Sequence, residues 1–201
     1  MGVLRVRQEF GVVLRHQRSA ARLTLHTRPR NTSIMKRQRF TILVVEDDPN
    51  DRFLFQRAIE ASGVSAEFRL LTCGEEAIAY LKGERPFEDR ARHRYPSILI
   101  TDLKMPRGDG FSILAFLKST PESPIILKVV LSGSGDSDDI KKAYIMGATA
   151  FFIKPLQYDE LARILGLLVD FWLLCEAPPV DEAGRLLSTE SAGKLGERFP
   201  L

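Results

Sequence analysis

Cysteine is scarce in this sequence, and long apolar runs are missing from it. The two cysteines among its 201 residues, Cys73 and Cys175, form neither the framework of a disulfide-rich secreted domain nor the spaced ligand set of a zinc site. No stretch approaches the roughly 18 consecutive apolar residues that cross a bilayer. A chain of this length can bury a core that folds without disulfides or metals. These shortages together predict a cytoplasmic protein that does not span a membrane.

Acidic residues are also nearly missing from the beginning of the chain. Residues 1–40 contain ten lysines and arginines and a single acidic residue, Glu9, whereas residues 41–201 contain 19 basic and 25 acidic residues. Residues 1–39 are predicted to be a basic, disordered leader that lacks the apolar stretch of a secretory signal. Three interpretations of it are open: an arm that contacts nucleic acid or an acidic partner, an organelle transit peptide, or sequence that precedes a true start at Met35. The third is favoured.

From Phe40 onward, short apolar runs alternate with amphipathic stretches. The first run, Thr41–Glu46, is apolar and β-branched, which is typical of a strand buried on both faces. Asp48 and Pro49 then fit the cap and the first residue of a helix that Gly63 ends. The same alternation predicts further strands at 68–71, 97–101, 125–131 and 149–153, and further helices at 75–82, 111–119, 136–146 and about 157–175.

Five strands that are each followed by a helix predict an α/β domain over residues 40–175. Its expected architecture is a doubly wound, five-stranded parallel sheet with helices on both faces. Residues 176–201 are predicted to be a loose C-terminal tail, too short for a DNA-binding or enzymatic output domain.

Polar residues stand at the carboxyl ends of the predicted strands, where ligands bind to sheets of this kind. Glu46 and Asp47 end the first strand, Asp102 the third, Ser132 the fourth and Lys154 the fifth. Three converging carboxylates repel one another unless a hard divalent cation such as Mg²⁺ binds them. A hydroxyl and an ammonium complete a pocket for a tetrahedral anion, in which a carboxylate can attack phosphorus.

Each of these residues also has a plainer interpretation. Judged alone, Asp102 is about equally well explained as a loop cap, and Ser132 could be part of a flexible Gly-Ser connection. Lys154 could be a solvated side chain, although a lone lysine that ends an apolar strand beside proline is less usual. Asp48 and Asp109 are better explained as helix or turn elements than as chemistry. The combination of residues, rather than any one of them, favours a phosphoryl site.

Four motifs resemble the receiver domain of two-component response regulators, the CheY-like family with a flavodoxin-like (βα)5 fold. They are ILVVEDDPNDR at 42–52, ITDLKMPRGDG at 100–110, VVLSGS at 129–134 and GATAFFIKP at 147–155. A long charged connection at 83–96 and the DFWL run that begins at Asp170 resemble single-domain receivers of the phytochrome-associated type.

The resemblance implies a phospho-acceptor and a metal site. Asp102 is the expected acceptor, which becomes an aspartyl phosphate. Asp47, Asp102 and the backbone carbonyl of Lys104 are the expected direct ligands of Mg²⁺, and Glu46 binds it mostly through water.

The resemblance also implies the groups that contact the phosphoryl oxygens. Ser132 and Lys154 are expected to do so, and the Lys154–Pro155 peptide is expected to be cis. In the family, the serine or threonine moves inward on phosphorylation and the switch aromatic, here Phe151, rotates into the vacated space.

The last predicted helix has more apolar residues than one buried face needs. The expected core residues are Leu161, Ile164, Leu165, Leu168, Phe171 and Trp172, and those expected elsewhere are Leu167, Val169, Leu173 and Leu174. The excess suggests a homodimer or a contact with a partner protein, and the alternative is a longer-than-usual core contact.

We expect a stand-alone response regulator that accepts a phosphoryl group from a sensor histidine kinase or a histidine phosphotransfer protein. It would signal to a downstream protein and would be a switch rather than a metabolic enzyme. The alternatives are a receiver fold that serves as a dimerisation or docking module without phosphorylation, and a nucleic-acid-binding protein that acts through residues 1–40. A phosphatase with an Asp-x-Asp pair does not fit, because Lys104 follows Asp102 at the second position.

Overall fold

The computed structural model describes residues 40–120, 125–176 and 180–185, so the predictions for the leader and for most of the tail lie outside the described residues. The described part alternates strands and helices in the predicted order. The elements are β1 (Thr41–Val45), α1 (Pro49–Ser62), β2 (Glu67–Leu71), α2 (Gly74–Lys82), β3 (Ile98–Thr101), α3 (Gly110–Ser119), β4 (Leu127–Ser132), α4 (Ser137–Ile145), β5 (Ala150–Ile153) and α5 (Tyr158–Leu174).

The five strands form one parallel sheet in the order β2-β1-β3-β4-β5, which confirms the predicted doubly wound fold. The chain leaves β1 for β2 on one side and returns to β3 on the other, so the topological switch lies between β1 and β3. Val45 pairs with Thr101 across this junction. The residues that follow these two strands therefore emerge side by side at the carboxyl edge of the sheet.

The beginning and the end of α1 follow from local sequence, as predicted. The Asp48 carboxylate accepts hydrogen bonds from the backbone N–H groups of Asn50 at 2.7 Å and Asp51 at 3.2 Å. These two donors hold the pKa of Asp48 below its ordinary value. Gly63 ends the helix with a φ of 63°, a left-handed conformation that glycine adopts without steric cost.

Apolar side chains cover the sheet on both faces. Phe152 packs with the cluster of β1, α1 and α5, whereas Phe151 packs on the opposite face with residues of β4 and α4. The two phenylalanines therefore point to opposite faces of the sheet, as successive residues of a strand do. The central strands β1, β3 and β4 are buried nearly throughout, and β1 and β3 end at the candidate site.

Two predictions about the buried face of α5 are wrong. Phe171 was expected in the core but is 53% exposed, and Val169 was expected elsewhere but is only 5% exposed. The buried stripe contains Leu161, Leu165, Leu168 and Val169, with the half-buried Trp172 continuing it. Phe171 instead falls with Leu167 and Leu174 on a second stripe at helical spacing, and all three side chains are exposed.

The connection between α2 and β3 is folded onto the domain. The Arg90 guanidinium donates hydrogen bonds to the carbonyl oxygens of Tyr80 at 2.9 Å and Leu81 at 2.8 Å, and so satisfies the last turn of α2. Phe87 is buried and lies 5.0 Å from the ring of Tyr80. The backbone N–H of Tyr95 donates to the carbonyl of Glu182, so the described part of the predicted tail contacts this connection.

Replacement of Arg90 by lysine is expected to destabilise the domain by about 1–2 kcal/mol. An ammonium cannot reproduce the planar fork that reaches two carbonyl oxygens of α2. The measurement is the free energy of unfolding in urea. Arg85→Lys is the matched control, since the pair of Arg85 with Glu88 is exposed, and it is expected to change stability very little. Equal effects of the two substitutions would contradict a structural role for Arg90.

None of the helices in the described ranges has the length and apolar character that crossing a bilayer requires.

Candidate functional site

Three carboxylates meet at the switch between β1 and β3, as the sequence predicts. Glu46 and Asp47 follow β1, and Asp102 follows β3. One oxygen of each side chain lies within 4.8 Å of the others. Glu46 is 1% exposed and Asp102 is 9% exposed, so two of the three are buried. We call Glu46, Asp47 and Asp102 the acidic trio.

The Lys154 ammonium lies at the centre of the pocket. Its Nζ is 2.6 Å from Asp102 Oδ2, 2.7 Å from Glu46 Oε2 and 2.8 Å from Asp51 Oδ2. The contacts with Asp102 and Asp51 are hydrogen bonds, whereas Glu46 Oε2 makes the ion pair without an aligned hydrogen bond. One positive charge therefore serves three carboxylates that come from two strand ends and one helix.

The pKa values of the pocket reflect this excess of negative charge. Burial lowers the pKa of Lys154, but its hydrogen bonds and ion pairs with Asp102, Asp51 and Glu46 outweigh burial and raise that pKa above its ordinary value. Burial raises the pKa of Glu46, and the nearby Lys154 ammonium offsets only part of the increase. The carboxylates around Lys154 therefore outnumber the one ammonium, so a second cation in the pocket would be stabilised by their negative charge.

The donor set of the acidic trio fits a hard divalent cation. It offers carboxylate oxygens only, and the buried Glu46 Oε2 lacks an aligned hydrogen-bond donor. Mg²⁺ prefers such oxygen ligands and commonly keeps several waters. The carbonyl of Lys104 lies in the loop that follows β3 and contains Asp102. The Lys104 side chain pairs with Asp139 at 3.0 Å.

Backbone groups fix the carboxylate of Asp102. Its Oδ1 accepts hydrogen bonds from the N–H groups of Leu103 and Lys104, which leaves Oδ2 on the side of Lys154. The loop that follows is held tightly, because a Cβ on Gly110 would lie 2.2 Å from the carbonyl oxygen of Asp102. Glycine is required there for close backbone approach, which explains Gly110 in the motif at 100–110.

Two functional contacts were not predicted from the sequence. Asp51, in the first turn of α1, was not among the predicted site residues, yet it pairs with Lys154. Arg52 donates hydrogen bonds to the carbonyl oxygens of Glu46 and Asp47, which fixes the loop that carries both acids. A signal was available, since the first turn of a helix that directly follows β1 must lie over the carboxyl end of that strand.

The remaining predicted residues lie around the pocket at different distances. Ser132 is buried, its hydroxyl accepts a hydrogen bond from Ser134 N–H at 3.4 Å, and its carbonyl accepts one from Lys154 N–H at 2.9 Å. Phe151 is half-buried beside Val130, further down the sheet. The Lys154–Pro155 peptide is not cis, contrary to expectation; the cis bond found in the described residues joins Arg85 to Pro86. A trans bond is the lower-energy form of an X–Pro peptide.

Comparison with known proteins identifies the family to which this arrangement belongs. The family model described as the response regulator receiver domain matches residues 42–165. The chain belongs to this family. Receiver domains act as signalling switches.

Individual receivers resemble most of the described domain. Response regulator Rcp1 of Synechocystis is 30% identical over 66% of this chain and 88% of its own length. The crystal structure of the Mn(2+)-bound form of response regulator Rcp1 has a TM-score of 0.60 at 28% identity, and the match covers 70% of this chain and 99% of that one.

Two further solved receivers match over the same extent. Response regulator RPA3017, in red light signaling of R. palustris, gives a TM-score of 0.65 at 29% identity and covers 70% of this chain and 99% of that chain. The phosphorylated cyanobacterial phytochrome response regulator RcpA gives 0.60 at 32% identity, with the same coverage of 70% and 99%. The predicted likeness to phytochrome response regulators is confirmed.

Proposed function

We propose that this receiver accepts a phosphoryl group on Asp102 from a phosphohistidine of a sensor histidine kinase or phosphotransfer protein. The observation that carries the proposal is the environment of the Asp102 carboxylate. Its Oδ1 is held by backbone N–H groups, and its Oδ2 lies 2.6 Å from the Lys154 ammonium in an acidic pocket. Oδ2 therefore faces a cation rather than the backbone, which supports a role as the nucleophile. The phosphorylated form of the relative RcpA supports the same chemistry.

The transfer step balances with groups that the chain supplies. Asp102 Oδ2 attacks phosphorus, the bond between phosphorus and the imidazole nitrogen breaks, and the electron pair leaves with that nitrogen. The Lys154 ammonium offsets charge on the equatorial oxygens during the transfer. The hydroxyl of Ser132, at the end of the neighbouring strand, donates a hydrogen bond to one of these oxygens.

Mg²⁺ is the proposed cofactor, with Asp47, Asp102 and the carbonyl of Lys104 as direct ligands and Glu46 binding through water. When bound, the cation supplies positive charge that Lys154 alone cannot provide to the carboxylates and the phosphoryl group. The similar structure of Rcp1 is an Mn(2+)-bound form, which supports a divalent cation as the cofactor.

Substitution of Asp47 by asparagine is expected to weaken Mg²⁺ binding by about tenfold or more. Asp47 belongs to the acidic trio, but no ion pair between it and Lys154 is found in the described residues. Its substitution therefore removes a metal ligand and leaves the ion pairs of Lys154 in place. The measurement is the rise of the unfolding midpoint with Mg²⁺ concentration, since a ligand that binds the folded state stabilises it. Asp159→Asn, on α5, is the control with equal loss of charge. An unchanged Mg²⁺ dependence in Asp47→Asn would contradict the ligand set.

The output of the switch is proposed to be a protein–protein contact. Phosphorylation would draw Ser132 inward, Phe151 would rotate, and the surface of α4, β5 and α5 would change. The exposed apolar stripe of Leu167, Phe171 and Leu174 supports a contact there with a downstream protein or with a second copy of the chain. The proposed setting is the cytoplasm, and the proposed switch comprises residues 40–175.

The competing function is a docking module that is never phosphorylated. Incubation of the full chain with acetyl phosphate and Mg²⁺, followed by intact mass measurement, separates the two. If the chain is phosphorylated, its mass increases by that of one phosphoryl group. No increase is expected when a chelator removes Mg²⁺ before the reaction. Absence of an adduct together with absence of Mg²⁺ binding would favour the docking module.

A further inference from the structure

Asp51 contacts Lys154 but lies outside the acidic trio. Its Oδ2 accepts a hydrogen bond from Lys154 Nζ at 2.8 Å, and its side chain is 36% exposed. Glu46 and Asp102 are buried at strand ends, whereas Asp51 comes from the first turn of α1. Asp51 therefore holds the ammonium from the solvent side of the pocket.

The three carboxylates leave Lys154 little freedom to serve a new anion. An ammonium has three N–H donors, and three carboxylate oxygens surround it within 2.8 Å. A phosphoryl group on Asp102 Oδ2 extends beyond the present position of that oxygen, so Nζ must shift to follow its equatorial oxygens. The hydrogen bond from Asp51 opposes that shift, and the Asp51 carboxylate also repels a second anion at close range.

We propose that Asp51 is a positioning residue that restrains Lys154 and thereby lowers the affinity of the pocket for a phosphoryl group. This inference rests on the proposed function of the same pocket. Asp51 acts through Lys154 and does not touch the reacting atoms. A pocket that contains Asp51 therefore binds a phosphoryl group less tightly than a pocket with the same Asp102, Ser132 and Lys154 but without the Asp51 carboxylate.

The test is the affinity of the full chain for beryllium fluoride, a phosphoryl mimic, at saturating Mg²⁺, measured by ¹⁹F NMR. Asp51→Asn keeps the size of the side chain and removes the charge. It is expected to bind the mimic about two- to fivefold more tightly than the wild type, the range that one partly exposed ion pair supports. Asp51→Glu retains a carboxylate on the same turn and is expected to restore the affinity toward that of the wild type.

The matched control is Asp48→Asn. It removes an equal charge three residues away, and asparagine caps a helix as well as aspartate does. Asp48 makes no hydrogen bond to Lys154; its own partners are Asn50 and Asp51 N–H. Asp48→Asn is therefore expected to change the affinity for the mimic less than Asp51→Asn does.

The outcomes separate this inference from the proposed function. If wild type and variants all fail to bind beryllium fluoride, the proposed function itself fails. If the wild type binds but Asp51→Asn binds equally or less tightly, the role of Asp51 is overturned. The same holds if Asp48→Asn tightens binding as much, because a general charge effect then suffices. A lower unfolding midpoint in Asp51→Asn with unchanged affinity would assign Asp51 to helix stability alone.

Discussion

Replacement of Asp102 by asparagine is expected to abolish phosphoryl incorporation while the domain remains folded. The amide cannot act as the nucleophile, because it lacks the anionic oxygen that attacks phosphorus. Its carbonyl oxygen can still accept the backbone hydrogen bonds from Leu103 and Lys104. Lys154 keeps Glu46 and Asp51 as partners, and the pocket loses one of its mutually repelling charges. The measurement is intact mass after incubation with acetyl phosphate and Mg²⁺.

Asp109→Asn is the matched control for this substitution. Asp109 caps α3 by accepting a hydrogen bond from Ser112 N–H at 2.8 Å, and asparagine caps equally well. This variant is expected to take up phosphoryl as the wild type does. Full incorporation in Asp102→Asn would show that another residue is the acceptor.

Replacement of Lys154 by methionine is expected to destabilise the domain by about 3–5 kcal/mol at neutral pH. Methionine preserves most of the volume but removes the only ammonium that contacts Glu46 and Asp102 in the described part of the chain. Both carboxylates are then left buried without a countercharge, which is costly in a low-dielectric site. Urea unfolding measures the effect, and Mg²⁺ is expected to restore more stability to the variant than it adds to the wild type.

The loss in Lys154→Met is expected to shrink as the pH falls. Burial already raises the pKa of Glu46 above the ordinary value of 4.5, and removal of Lys154 removes contributions that lower it. A carboxyl group whose pKa is raised in the folded state costs stability when ionised and costs none below its unfolded pKa. As the pH is lowered from neutral to about 4.5, the free energy of unfolding of the variant should therefore rise relative to that of the wild type.

Lys104→Met is the control for this pH dependence. Lys104 lies in the loop that follows Asp102, but it is exposed and pairs with Asp139 at the surface. Its substitution is expected to have little effect on stability at any pH in that window. A similar loss in both lysine variants, or a loss in Lys154→Met that is independent of pH, would contradict an unpaired buried charge as its cause.

The positions of the acidic trio, Ser132 and Lys154 at one edge of the sheet could be predicted from the sequence, because each follows a short apolar run. The carboxyl ends of all strands in a parallel sheet lie on the same edge, so a polar residue that directly follows an apolar run is expected at that edge. The strand order β2-β1-β3-β4-β5, by contrast, could not be predicted from the alternation of elements, because more than one order satisfies that alternation.

Asp51 and Phe171 show what the sequence pattern could not provide. The first turn of α1 must lie over the carboxyl end of β1, but which of its side chains reaches Lys154 depends on how the short loop between β1 and α1 turns. The phase of α5 is set by its packing against α1, so a helix with apolar residues nearly all round gives no unique buried face from periodicity. Arg90 was hidden for a similar reason, because a charged connection does not reveal which arginine satisfies backbone carbonyls.

The measurement that tests the central claim most directly is the identity of the modified residue. The full chain is incubated with acetyl phosphate and Mg²⁺, and the acyl phosphate is reduced with borohydride, which converts a phosphorylated aspartate to homoserine. Peptide mass mapping then locates the reduced residue. We predict homoserine at position 102 and none in a sample treated with chelator before the phosphodonor. Reduction at another aspartate, or an unmodified chain with Mg²⁺ bound, would contradict the account.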